Sequence, residues 1–131
     1  MSQMSYERRS TFGFAETVTA VLESARAAGW VVLATHDMQQ RFVSKGIEWH
    51  QALTIVEICK AAYAAPMVAT DPEVALYLPC PIVIRQLPEG QVYISVLRPE
   101  YVSGLFTEAD FGQGPIAAED EVRGILDHAA E

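Results

Sequence analysis

Ile82-Val83-Ile84-Arg85-Gln86-Leu87-Pro88-Glu89-Gly90-Gln91-Val92-Tyr93-Ile94-Ser95-Val96-Leu97 settles the architecture of this chain. Two runs rich in β-branched residues flank Pro88-Glu89-Gly90, which reads as a β-hairpin. Proline presets φ at the first turn position and glycine supplies a positive φ at the last, as a type I turn followed by a bulge requires. That loop sets the register: Leu87 faces Gln91, Arg85 faces Tyr93, Ile84 faces Ile94 and Val83 faces Ser95. Side chains alternate between faces along a strand. One face therefore carries Ile82, Ile84, Val92, Ile94 and Val96, all apolar, and needs a cover of helices. The other carries Val83, Arg85, Leu87, Tyr93, Ser95 and Leu97. It is half apolar, and left bare it would be a contact surface, which predicts a homodimer formed through this open sheet face.

The covering helices lie on either side of the hairpin in sequence. Upstream, Phe14, Val18, Val21, Leu22, Ala25 and Ala28 recur at three- and four-residue spacing, which predicts an amphipathic helix over 14–28 that stops at Gly29. Downstream, Val122, Ile125, Leu126 and Ala129 make the stripe of a helix over 117–130, with Glu119, Asp120 and Glu121 in its first turn, where carboxylates suit the helix dipole. Residues 30–35 and 51–59 read as strands, and 4–10 as a short edge strand. A short helix is expected over 38–45 and a further one over 61–70, where Pro66 must start, kink or break it. A helical turn or two follows at 99–106, and Gly112-Gln113-Gly114-Pro115 reads as loop. The order is β-α-β(4)-α, an α+β fold with a mainly antiparallel sheet and helices on one face.

A chain of 131 residues is one domain, 1–131, with half its residues apolar and a core that needs no staples. The net charge of −8 is carried by residues 61–131, which hold 11 acids and 3 bases, while residues 1–60 hold six of each. That balance argues against nucleic acid as a partner, since phosphate binding needs clustered Lys and Arg. No apolar run is long enough to span a membrane, and Met1–Ser10 lacks the apolar core of a signal peptide, so no membrane partner and a cytoplasmic location are expected. Two cysteines without a Cys-x-x-Cys motif exclude a disulfide framework and a zinc ribbon.

The residues able to carry chemistry are few. His36 and Asp37 close one strand, His50 opens the next, and Glu57 and Cys59 end it. With suitable strand parity, His36, Glu57 and Cys59 would share a face with Arg85 and Tyr93, and Cys80 starts the hairpin. Imidazole and thiolate are ligands for borderline and soft metals, although no ligand spacing marks a metal site and no cofactor is indicated. Each cysteine also reads as a small buried hydrophobe. His36 also reads as a turn or capping residue. Glu57 is the most informative single residue, because a carboxylate between Ile55-Val56 and Ile58 needs a partner. It is either the acid/base of a small enzyme or a structural pair with Arg85 or Arg98. Three functions stay open: a binding or carrier module for a small molecule, metal or sulfur through a Cys/His/Glu cluster; a small enzyme using Glu57; and a homodimeric scaffold with inert thiols.

Lys45-Gly46-Ile47-Glu48-Trp49, Ile55-Val56-Glu57-Ile58-Cys59, Leu78-Pro79-Cys80 and Ile94-x-x-Leu97-Arg98-Pro99 resemble the family called domain of unknown function 302. The Phe14-led helix, Val31-Val32-Leu33 and His36-Asp37 fit it too, and the resemblance covers about residues 4–127. It implies a β-α-β(4)-α domain similar to the TATA-box-binding-protein-like fold, dimers, and no assigned activity. Members often read Cys-Asn-Pro at the end of the second strand, whereas this chain has Cys59-Lys60-Ala61, without the rigid proline turn.

Overall fold

The computed structural model describes residues 3–131; Met1 and Ser2, part of the polar N-terminal stretch, lie outside the described residues. Five strands, β1 (Ser5–Arg9), β2 (Val31–Asp37), β3 (Leu53–Cys59), β4 (Cys80–Gln86) and β5 (Val92–Leu97), form one antiparallel sheet in the order β1-β5-β4-β3-β2. The hairpin register is as the turn chemistry dictates: Arg85 faces Tyr93 and Ile84 faces Ile94. Gly90 has a φ of 103°, a backbone conformation natural only to glycine, and the loop closes through Leu87 N–H to the Gln91 carbonyl at 2.8 Å.

Helices α1 (Phe14–Ala27) and α5 (Gly114–Ala129) lie on one face of the sheet. Beneath them Val56, Ile58, Ile82, Ile84, Ile94 and Val96 are buried against Val21, Ala25, Val122, Ile125 and Leu126. Burying apolar area at roughly 25 cal/mol per Å² makes this layer the main stabilising element. α2 (Met38–Ser44) links β2 to β3 and buries none of its residues; Asp37 caps it by accepting from the Gln40 N–H at 2.9 Å. α3 (Ala61–Thr70), a 3₁₀ turn (Pro72–Tyr77) and α4 (Pro99–Gly104) gather at the end of the sheet where β3 and β5 finish and β4 begins. No helix of the described residues is long and apolar enough to cross a membrane.

Three expectations are corrected. α5 begins at Gly114 rather than 117, because Pro115 fits a first turn whose N–H groups have no helical partner, so Gly114-Pro115 is helix and not loop. The first turn consequently holds no acidic residue, and Glu119–Glu121 lie further along the helix. β2 runs on through His36 and Asp37, whose pairing with Ile55 and Thr54 makes them strand residues; His36 is therefore not a turn residue. Pro66 sits inside α3 without ending it.

Candidate functional site

The parity of β2 turns on one residue. Val32 pairs with Ile58, but Ala34 pairs with Glu57, so Leu33 is the extra residue of a bulge. Without it His36 would fall opposite Thr54, on the helix-covered face. With it His36 lies opposite Ile55 and shares the open face with Glu57, its diagonal neighbour. His36 Nε2 and Glu57 Oε1 are 2.6 Å apart, with side chains 37% and 28% exposed. The partner of Glu57 is therefore His36, and neither Arg85 nor Arg98.

Register places Cys59, Arg85 and Tyr93 on this face as well, in separate contacts. Arg85 donates to Glu7 Oε2 at 3.1 Å, Ser95 Oγ donates to the same oxygen at 2.8 Å, and the guanidinium lies 5.2 Å from the Tyr93 ring centre. Cys80 is not part of that face, because it pairs with Ile58 and points to the covered side. His50 stands apart, exposed and 3.3 Å from Glu48. A single cluster of His36, Glu57, Cys59 and Cys80 does not form: no group of three His, Cys, Asp or Glu side chains placed to hold a metal occurs among the described residues.

The two cysteines stand at the same end of the sheet with their side chains on opposite faces. Cys59 is the last residue of β3 and Cys80 the first of β4, and both wall an apolar cavity of about 50 Å³ at this end of the sheet. Trp30, Met67, Leu97 and Val102 add to its wall. Both cysteines are free thiols. Cys80 Sγ is buried and makes a long contact to the Leu97 carbonyl at 3.8 Å. Burial, with Cys59 adding to it, pushes the Cys80 thiol up to about 12, so it is protonated at neutral pH.

Beside the cavity, Glu121 collects three donors. Lys60 Nζ lies 2.7 Å and Trp30 Nε1 3.0 Å from its Oε1, and Tyr63 Oη donates to Oε2. Burial alone would raise the Glu121 carboxyl, but the bonds from Lys60, Tyr63 and Trp30 outweigh it and hold the carboxyl below its ordinary value. The same bond to Glu121 raises the Tyr63 hydroxyl. Half a turn back in α5, Glu119 is 2% exposed and takes Arg98 Nε at 2.9 Å, Arg123 Nη2 at 2.9 Å and the Glu100 N–H at 3.1 Å. Burial opposes ionisation here too, and the two arginines and the amide overcome it, so Glu119 stays charged below the usual carboxylate range. This cluster ties α5 to Arg98 and α4, next to Leu97, Pro99 and Ala118 on the cavity wall.

Met67, Trp30, Tyr63, Lys60, Glu119 and Glu121 are not legible as site residues from the sequence. α3 is so rich in alanine that no stripe singles out Met67, its one buried residue. The Glu119–Arg123 spacing of four is the only local sign of the acidic cluster.

A family model described as "Domain of unknown function DUF302" matches residues 6–129. A crystal structure titled as an uncharacterized conserved protein DUF302 from Bacillus stearothermophilus is similar with a TM-score of 0.88 and 23% identity, covering 99% of this chain and 100% of that one. At that identity the likeness speaks for the fold. No curated protein matches the chain.

Proposed function

The chain belongs to the DUF302 family, and for it we propose a homodimeric binding module that takes a small ligand in the cavity walled by Cys59 and Cys80. The carrying observation is that cavity: about 50 Å³ of apolar space under the helix-covered end of the sheet, with the buried Cys80 and the chain at Cys59 among its lining residues. Protein interiors leave few voids larger than a water, and an apolar void has no hydrogen bonds to offer water. An apolar or soft ligand suits it better than a hydrated ion.

The partner copy belongs on the open sheet face. That face holds Val83, Ile55 and Leu53, each half-buried, and Val31 and Leu33 on the edge strand are 59% and 55% exposed. Its charged groups, Glu7, Arg9, Glu57 and Arg85, cancel, so the −8 of the chain does not oppose contact there. Two free thiols suit the reducing cytoplasm, and the acidity leaves nucleic acid outside this reading. A second reading, a small enzyme with Glu57 as acid/base, is favoured by the 2.6 Å His36–Glu57 contact on a surface that solutes reach.

Native and denatured mass spectra together with xenon binding followed by NMR test the proposal. The expected result is twice the chain mass, with xenon shifting the resonances of Trp30 and Tyr63. A clean monomer would overturn the dimer. Silence of both rings to xenon would overturn the cavity and leave a scaffold with inert thiols.

A further inference from the structure

α3 runs Ala-Ala-Tyr-Ala-Ala-Pro-Met-Val-Ala-Thr from Ala61 to Thr70 and carries no charged residue. A helix apolar on every side belongs in a protein interior. This one buries only Met67, while Ala62, Ala65, Pro66 and Ala69 face solvent. The apolar surface continues over the 3₁₀ turn that packs against α3, where Leu76 is 80% exposed and Tyr77 37%. The Tyr77 ring meets Phe106 and Phe106 meets Phe111, both edge to face, with the exposed Leu105 next in sequence. The charge around this surface has one sign. Residues 61–79 and 99–122, which build this end of the molecule, contain no Lys, Arg or His. Glu73, Glu100, Glu108, Asp110 and Asp120 are exposed there, and among the described residues none of the five has an ion-pair partner.

We propose that this end of the molecule docks a basic amphipathic helix of another protein, whose apolar side lies on α3 and Leu76. Contiguous exposed apolar surface marks an interaction site, and the centre of an interface is poor in charge and rich in aromatic rings. The alanines of α3 let a second helix approach to the short end of the usual 8–10 Å between packed axes. An extended segment would instead add to a free sheet edge. Those edges are β1 and β2, along the sides of the sheet, and this end presents strand termini. The acidic rim calls for Lys and Arg flanking the partner's apolar residues. A second copy does not supply them: its own 61–131 half is acidic, and residues 1–60 hold as many acids as bases. Nucleic acid and anionic lipid would meet the same rim and be repelled. α3 packs against α5, on the helical side of the sheet, so the open sheet face assigned to the dimer is a separate surface.

The test titrates a model peptide of leucine and lysine, with its leucines at three- and four-residue spacing, into the full chain and follows binding by calorimetry. A control peptide has glutamate at every lysine position. The lysine peptide is expected to bind one per chain, and the glutamate peptide not at all. Leu76→Ser should weaken binding about tenfold or more. Ala65→Lys, which puts a cation and a long side chain at the centre of the contact, should do the same. Both positions are exposed, and circular dichroism should report an intact fold. Val43→Ser, at an exposed apolar residue of α2 at the opposite end of the sheet, should bind as wild type does. No binding of the lysine peptide, equal binding of both peptides, or the same loss in Val43→Ser as in Leu76→Ser overturns the proposal. Sedimentation velocity tests the other occupant. The mass of the free chain should be the same in Leu76→Ser as in wild type, and a fall to half would make the occupant a second copy and overturn the assignment.

Discussion

Replacing Glu119 by glutamine tests whether the buried carboxylate holds the cavity end of the molecule together. Both carboxylate oxygens are in use: Oε1 accepts from the Glu100 N–H, and Oε2 accepts from Arg98 and from both Nε and Nη2 of Arg123. An amide has one acceptor oxygen. Whichever way the substituted amide is turned, its NH₂ faces either two guanidinium groups or a backbone N–H, donor against donor. Breaking a buried ion pair costs about 3–5 kcal/mol. The arginine side chains here are 26% and 39% exposed and keep part of their hydration, which lowers the figure. A loss of about 2–4 kcal/mol follows. For a domain of this size that is a fall in Tm of roughly 8–15 °C at neutral pH.

Acid titration of the same pair of proteins gives a second reading. The folded Glu119 carboxyl is held below its ordinary value. Its contribution is therefore complete above the unfolded carboxylate pKa of about 4.3 and is lost as the pH falls through the lower folded value. The stability gap between wild type and Glu119→Gln should be constant from pH 7 to about 5 and close below about 4. Urea unfolding followed by circular dichroism at several pH values measures it. A variant within about 0.5 kcal/mol of wild type at pH 7 would refute the reasoning, because ordinary surface substitutions move stability by that much.

Thiol reactivity should separate the two cysteines. Cys80 is 8% exposed with its thiol pushed to about 12, so in native protein Ellman's reagent should titrate Cys59 alone, with Cys80 reacting only at the rate of unfolding. Two thiols titrating at one rate would contradict the burial of Cys80. Ile84→Ala removes a fully buried side chain in the central strand β4, and chemical denaturation should show a loss of about 3–4 kcal/mol, whereas a loss under about 1 kcal/mol would mean that the sheet face is loosely packed.

The sheet and its helical cover are legible in the sequence because they rest on local signals. Pro88-Glu89-Gly90 dictates the hairpin register, and the alternation around it names the buried face. Periodicity locates α1 within a residue or so, while the start of α5 is misread because Gly114-Pro115 looks like loop unless the proline is taken as a first-turn residue. Of the candidate site, the shared face of His36 and Glu57 hangs on the bulge at Leu33, which leaves no mark in the alternation of Val31 to Thr35.

Fold order alone groups Cys80 with Glu57, yet strand pairing turns it to the other side, towards the cavity. Neighbours a few residues apart are enough to set the strand and helix order, the apolar layer, the location of the net charge and the scarcity of reactive groups. Long-range packing is what brings Cys80 and Met67 to one space and turns Glu119 and Glu121 inward to their partners. Those contacts join the ends of β3, β4 and α5 with α3, and no local preference encodes which ends of distant elements meet.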